Sequence, residues 1–135
     1  MANALYTEGK QNLLDKKFDL DTDDMRVILI DHDDDTPVPS TDDALDDISA
    51  GEIATSDALN ATSIANGTFD ADNETLSAVP GGGTVDSLTI YLHTGTPTTS
   101  FLLVYIDTGT NLTGGFTPNG GDVTIAWHAS GIFSL

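Results

Sequence analysis

The sequence predicts a mainly β protein, an antiparallel β-sandwich or barrel-like domain with a short N-terminal helix and one short additional helix. Two observations predict it. After residue 51 the chain consists of short segments rich in Thr, Ser, Val and Ile, a composition typical of strands. These segments are separated by Asn-Gly, Gly-Gly and Pro-Gly pairs, which mark turns. The length of 135 residues fits a single domain, 1–135, with an N-terminal helical arm (1–20) and a β-rich body (21–135).

The first fifty residues predict one helix, one strand and a second short helix. Residues 3–17 place apolar side chains at helical spacing, with Asn3 as the N-cap. Residues 25–30 form an apolar, β-branched run that is typical of a strand buried on both faces. Residues 31–39 form an acidic turn, which two prolines keep out of a sheet and which we expect to be exposed. Residues 40–50 predict a helix of one or two turns.

Eight further strands are predicted in the body. The Asn66-Gly67 pair is the clearest hairpin signal, because both central positions of a type I′ turn need positive φ. The strongest predicted pair joins 85–92 to 100–107. Residues 101–106 of the second segment are apolar throughout, which places it at the centre of the sheet. The eight strands are predicted at 52–56, 61–65, 68–70, 74–79, 85–92, 100–107, 122–128 and 131–134.

The charge of the chain is its most unusual property. It has 22 acidic residues against 4 basic ones, and its formal net charge is −18. All the basic residues lie in the first 26 positions, so the later carboxylates have almost no cationic partner. Such a chain repels itself in dilute salt, whereas at roughly 1 M ionic strength the screening length falls to about 3 Å. Adaptation to high salt is the preferred interpretation, and a basic partner or bound divalent cations are the alternatives.

Composition also bears on several classes of function. The absence of cysteine excludes disulfides, thiolate metal sites and cysteine nucleophiles. Because no basic patch is available to neutralise phosphates, we expect no nucleic-acid partner. No apolar run approaches the roughly 18 residues of a membrane span, and no export signal is visible, so we expect a soluble protein with no membrane partner.

No arrangement of residues in the sequence predicts catalysis, and we expect neither an enzyme nor a cofactor. Asp31, Asp33 and Asp35 have the alternating spacing that opens a calcium loop, and they are the best-placed metal ligands. However, Thr36 stands where that loop needs glycine, so a solvated acidic turn without bound metal is preferred. The three histidines form no paired zinc motif, and neither a G-x-S-x-G nucleophile motif nor a P-loop lysine is present.

Scattered segments along nearly the whole chain form a pattern. They are MANALY (1–6), GK (9–10), VILID (27–31), ATS (54–56), AL (58–59), DAD (70–72), IY (90–91), TGT (94–96), YIDT (105–108), TPNGGD (117–122), Trp127 and IF (132–133). This pattern resembles small virion structural proteins of tailed phages, some of which resemble decoration or cement proteins of the outer capsid lattice. Those proteins carry ordinary numbers of Lys and Arg, so the departure here indicates a virus of a halophilic host, and archaea are among the candidate hosts.

The resemblance implies a protein that stabilises the head of a tailed virus by binding the major capsid protein. A homotrimer covering the junctions between capsid subunits is the expectation, made in the host cytoplasm and located on the exterior of the virion. The N-terminal arm is the predicted element of contact with a neighbour, and a helix packed on its own sheet is the alternative. The residues predicted to make this contact are Leu5, Tyr6, Leu13 and Phe18.

Three other functions are considered beside this one. The chain could form the host-receptor or glycan-binding head of a spike or turret, or another head or tail component. Exposed aromatic side chains would then meet the glycan, and the candidates are Tyr91, Phe116 and Trp127. A metal-dependent hydrolase, the third alternative, would need ordered ligands that the sequence does not indicate.

Overall fold

A computed structural model describes residues 3–135, so the first two residues of the predicted arm lie outside the described part. It confirms the mainly β class, with antiparallel sheets and one α-helix in this part of the chain. The helix is α1 (Thr7–Leu14), and the strands are β1 (Ala4–Leu5), β2 (Met25–Ile30), β3 (Glu52–Thr55), β4 (Ser63–Ala65), β5 (Thr68–Asp70), β6 (Glu74–Leu76), β7 (Ser87–Leu92), β8 (Leu102–Ile106), β9 (Val123–Ile125) and β10 (Phe133–Ser134).

Five strands form the main antiparallel sheet, in the order β1-β8-β7-β2-β3. The predicted pairing of residues 85–92 with 100–107 is confirmed as β7 with β8, and a register shift falls between Ile90 and Tyr91. β8 is an interior strand, but β7 occupies the centre of the sheet. The prediction that 100–107 is the central strand was therefore wrong, because β8 lies beside the central strand. β1 and β3 are edge strands of this sheet, so it does not close into a barrel.

Both faces of the main sheet are buried along its interior strands β2, β7 and β8, which explains why these strands are so apolar. One face packs against two smaller sheets, β10-β5-β4 and β6-β9, and gives a sandwich-like arrangement. The opposite face is covered by Tyr6 and by the segment around Ile48, and the buried side chains on this face form a second, smaller core. The alternation predicted for residues 85–92 follows this division. On the first face lie Leu88 and Ile90, and on the second lie Ser87, Thr89 and Tyr91.

The N-terminal arm differs from the predicted helix over 3–17. Its first residues form β1, in which Ala4 and Leu5 pair with β8, so α1 begins only at Thr7. Asn3 is not the N-cap. Its Oδ1 atom accepts hydrogen bonds from the backbone N–H groups of Asp107 at 2.9 Å and Thr108 at 3.0 Å. The Asn3 amide therefore ties the arm to the end of β8, about a hundred residues away in the sequence.

Helix α1 packs very closely against β8. A Cβ atom at Gly9 would lie 2.7 Å from the carbonyl oxygen of Leu102, so only glycine permits this approach. One turn further along, Asn12 is fully buried. Neither its side-chain oxygen nor its nitrogen has a hydrogen-bond partner among residues 3–135. A buried amide in this state destabilises the fold by roughly 1–3 kcal/mol.

Replacing this amide by a hydrocarbon of similar size should therefore stabilise the protein. We expect Asn12→Leu to raise the free energy of unfolding by on the order of 1 kcal/mol, measured by denaturant unfolding in molar potassium chloride. The exposed Asn60→Leu is the control, and its effect should stay within about 0.5 kcal/mol. A clear loss of stability in Asn12→Leu would show that the amide makes a hydrogen bond that matters.

The second predicted helix, over 40–50, is replaced by two 3-10 turns, Leu45–Asp47 and Ser49–Gly51. Ala44 is held extended by a β-bridge to Phe101, so the chain can only begin to coil after it. The side chain of Asp47 accepts a hydrogen bond from the N–H of Asp43 at 2.9 Å, which closes the first turn.

The predicted hairpin and strands of the body are confirmed. Asn66 and Gly67 have φ angles of 51° and 78° and connect β4 to β5 as a two-residue turn. All eight strands predicted after Gly51 are present. β5 has the predicted bounds, and the others are shorter than predicted.

Candidate functional site

The three carboxylates predicted as the best metal ligands do not meet around a common point. Asp31 is buried, and its two carboxylate oxygens accept hydrogen bonds from the N–H groups of Asp33 at 2.9 Å and Thr84 at 3.1 Å. Asp33 is exposed and Asp35 is half-buried. Within residues 3–135, no group of three or more His, Asp or Glu side chains could hold a metal ion. The expectation that the whole turn is exposed was wrong at Asp31 and Pro37, which are both buried. The Asp31 carboxylate joins the turn to the segment before β7.

The residues predicted to contact a partner lie mostly inside the chain's own fold. Tyr6 is fully buried and Phe18 is 8% exposed, so both are corrected to core residues. Leu5 and Leu13 are half-buried and pack against the larger core. The arm is therefore packed on its own sheet, which was the alternative interpretation. A partner contact stays a prediction only for Leu5 and Leu13.

A histidine and a serine lie within hydrogen-bond distance at the edge of the second core. The Nε2 atom of His32 is 2.9 Å from the hydroxyl of Ser87, and the His32 ring stacks on Tyr105 with centroids 6.4 Å apart. Ser87 is fully buried, so its hydroxyl is not accessible to a substrate. This pair therefore serves packing, and it does not form an accessible nucleophilic site.

An open groove of about 940 Å³ lies between the main sheet and β9, and we call it the neutral groove. Its volume is in the range of sites that hold small molecules or short peptide segments. The residues that line it are Asn3, Leu88, Ile106, Thr108, Gly109, Thr110, Asn111, Leu112, Phe116, Val123, Thr124, Ile125, Ala126, Trp127, His128, Gly131 and Ile132.

Hydrogen bonds to neighbouring segments hold the walls of the neutral groove. The indole N–H of Trp127 donates to the carbonyl oxygen of Asp72 at 3.0 Å, and its backbone N–H donates to Asn73 Oδ1 at 3.3 Å. On the other wall, Phe116 forms a β-bridge with Val85, through hydrogen bonds of 2.8 and 3.1 Å. The positions of Trp127 and Phe116 thus depend on hydrogen bonds to residues distant in the sequence, which local sequence does not reveal.

A glycine allows the last turn of the chain to close one end of the groove. Gly131 has a φ of 102°, in the region that favours glycine, and a Cβ atom there would overlap the side chain of Thr68. The N–H of the next residue, Ile132, donates to the carbonyl oxygen of Phe69 at 2.8 Å. This hydrogen bond holds Ile132 beside β5, and Ile132 lines the groove there.

The groove is uncharged although the chain is highly acidic. Charged residues make up 19% of the sequence, but no Asp, Glu, Lys or Arg is among the described residues that line the groove. Two acids lie next to lining residues in the sequence: Asp107 precedes Thr108, and Asp122 precedes Val123. The groove therefore offers apolar, aromatic and neutral polar groups, and it fits an uncharged ligand because an unpaired buried charge is costly.

The sequence contained a signal for this groove that our prediction did not use. Between residues 108 and 135 there is one charged residue, Asp122, in a chain where charged residues are otherwise frequent. Most of the groove comes from this stretch. Of the aromatic residues proposed for glycan binding, Phe116 and Trp127 both line the groove. Tyr91 is 2% exposed and is corrected to the second core.

Comparisons with known proteins add no family to these observations. No model of a protein family matches the chain. No curated protein is significantly similar to it. Among residues 3–135, no helix has the length and apolar character needed to cross a lipid bilayer. The functional conclusion therefore has to come from the residues and from the geometry of the groove.

A buried acid lies on β6, the strand that pairs with β9 at the wall of the groove. Glu74 of β6 is opposite Ile125 and is only 6% exposed. Burial, and to a smaller extent the negative charge of Asp57, raises the pKa of Glu74. A raised pKa in the folded state means that the folded protein holds this proton more tightly than the unfolded chain does. The destabilising effect of Glu74 is therefore absent at low pH and appears as pH rises through its pKa.

We expect Glu74→Gln to stabilise the protein at neutral pH by on the order of 1 kcal/mol and to have little effect below about pH 4. Thermal unfolding across this pH range in molar potassium chloride measures the difference. The exposed Glu52→Gln removes the same charge without burial, so it controls for general relief of repulsion. A constant effect of Glu74→Gln at every pH would contradict the role of this carboxylate.

Proposed function

We propose that the chain is a non-enzymatic structural protein of a virus particle. Its proposed role is that of a capsid decoration or cement protein, which stabilises the head of a tailed virus of a halophilic host. It is made in the host cytoplasm and binds, as a homotrimer, to the major capsid protein lattice on the outside of the virion. The resemblance of the scattered segments to virion proteins of tailed phages is the sequence observation behind this proposal.

The single structural observation that supports it is the neutral groove on an otherwise acidic protein. In concentrated salt, ion pairs between proteins are screened, whereas contacts between apolar surfaces persist. A protein that works in brine therefore needs an apolar, uncharged surface to hold its neighbours. The groove of about 940 Å³ supplies one.

Electron cryo-microscopy of the virus particles that contain this chain tests the proposal. We expect density for a small β domain on the outer lattice, in contact with the major capsid protein and repeated at the junctions between its subunits. Particles stripped of the protein should lose their packaged DNA at a lower temperature than complete particles. Density confined to a spike tip or to the tail would contradict the decoration role.

A second function is favoured by one specific observation, namely that Phe116 and Trp127 line the same groove together with Asn and Thr side chains. Aromatic rings beside neutral hydrogen-bonding groups can also hold a sugar, so a glycan-binding head of a spike or turret is the alternative. A glycan array probed in molar potassium chloride separates the two functions. Binding to a defined neutral oligosaccharide that Trp127→Ala abolishes would favour the glycan-binding head.

A further inference from the structure

We propose that the neutral groove of one copy of this chain binds strand β4 of a second copy, so that copies associate head to tail. The inference rests on the proposed function, because it assigns the contact that holds the trimer together. It can nevertheless be tested on the purified protein without any capsid. It depends on two free strand edges and on the absence of charge from both surfaces.

The first free edge belongs to β9, on the wall of the groove. β9 pairs with β6 along one side only, and six consecutive residues from 123 to 128 line the groove. The N–H of Trp127 points towards Asn73, on the β6 side. Within β9, backbone groups alternate in direction, so those of Thr124 point to the side opposite β6. Ala126 has no backbone hydrogen bond to any described residue, so its groups are available to another strand.

The second free edge belongs to β4. This strand ends the three-stranded sheet β10-β5-β4, and all three of its residues are exposed. In a two-residue hairpin the pair next to the turn, here Ala65 and Thr68, is hydrogen-bonded. The backbone groups of Ile64 therefore point away from β5, and no described residue bonds to them. An edge of this kind is a template for pairing with another chain.

The side chains of β4 suit the groove. Ile64 is 53% exposed, one of the few large apolar side chains left uncovered among the described residues. The stretch from 58 to 69, which contains β4, has no Asp, Glu, Lys or Arg. Two copies that each carry a charge of −18 repel, and they approach at least cost where neither surface is charged. The neutral groove and β4 are two such surfaces.

The positions of the two surfaces determine the symmetry of the contact. β4 forms one edge of the three-stranded sheet, and β10, at the opposite edge, follows directly after Ile132 of the groove. A copy therefore presents β4 on one side and its groove near the other. Such a contact joins different surfaces of the two copies, and it gives either a closed ring or a filament. A ring of three accords with the proposed function.

Sedimentation velocity of the full chain, in millimolar and in molar potassium chloride, tests the inference. We expect a defined oligomer in molar salt, and a monomer in millimolar salt where repulsion is unscreened. Ile64→Asp on the donor strand and Ala126→Asp on the groove wall should each weaken association in molar salt at least tenfold. Leu14→Asp is the matched control, because Leu14 is 81% exposed on α1 and far from both edges in the sequence. Thr110→Asp, another exposed lining residue, replaces Ala126→Asp if that variant fails to fold.

A mixture of the two variants gives the decisive measurement. Ile64→Asp keeps an intact groove and Ala126→Asp keeps an intact β4, so the mixture should form a heterodimer and nothing larger. A wild-type protein that is monomeric in molar salt would overturn the inference, and the decoration role would still stand or fall on the particle density. Oligomers unaffected by either variant would also overturn it, because they would place the interface elsewhere.

Discussion

Raising potassium chloride from millimolar to molar concentration should raise the melting temperature of this protein by on the order of 10 °C, or about 3 kcal/mol of unfolding free energy for a domain of this size. The physical reason is the net charge of −18, with few cations to offset it. Local repulsion is already visible in the loops. A hydrogen bond with the carboxyl group of Asp19, together with its negative charge, raises the pKa of Asp21. Of the cations, Arg26 pairs with Asp24 at 2.9 Å.

Two controls separate screening from other effects of a concentrated solution. Sodium chloride at equal ionic strength should act like potassium chloride, since screening depends on ionic strength. Sucrose stabilises proteins by exclusion from their surface and carries no charge, so it should not reproduce the steep rise at low concentration. A melting temperature that does not change between millimolar and molar salt would refute the high-salt interpretation.

Tyr6→Ala should lower the free energy of unfolding by about 3–5 kcal/mol, the usual loss when a large buried aromatic side chain is removed. Tyr6 is fully buried under the main sheet, and its hydroxyl lies 2.8 Å from the hydroxyl of Thr89. Its ring meets Tyr105 edge to face, with centroids 6.4 Å apart. Without this side chain, the arm loses its main attachment to the second face of the sheet.

Graded variants identify the source of this loss in denaturant unfolding. Tyr6→Phe keeps the ring and removes the hydroxyl, so it should lose only about 1 kcal/mol. Leu14→Ala, at the exposed end of α1, should stay within about 0.5 kcal/mol. If Tyr6→Ala were as mild as Leu14→Ala, Tyr6 would not anchor the arm, and its predicted contact with a partner would have to be reconsidered.

At the N-terminus the structure differs from the helix that local sequence spacing predicts. Residues 3–17 have helical spacing, but Ala4 and Leu5 pair with β8 because backbone partners a hundred positions away outweigh a weak local preference. The predicted partner contact of the arm placed Tyr6 on a surface, whereas the sheet buries it. A short amphipathic pattern cannot distinguish a face that meets a partner from a face that meets the chain's own core.

The candidate site could be predicted only in part. The sequence predicts three aromatic residues as ligand contacts. Phe116 and Trp127 do line one groove, but Tyr91 is buried. All three residues look alike in sequence. Their exposure depends on which layer covers each face of the main sheet, and that is a property of the assembled sandwich.

The sequence by itself determined the mainly β class, the succession of strands along the chain from 52 to 134, the hairpin at Asn66-Gly67 and the excess of negative charge. These follow from local conformational preferences and from composition, which do not depend on distant contacts. The tertiary structure alone decided that Asn3 binds the end of β8, that Asp31 is buried against Thr84 and that a neutral groove opens beside β9. Each of these requires residues fifty to a hundred positions apart to meet, and packing of the sheets determines such meetings.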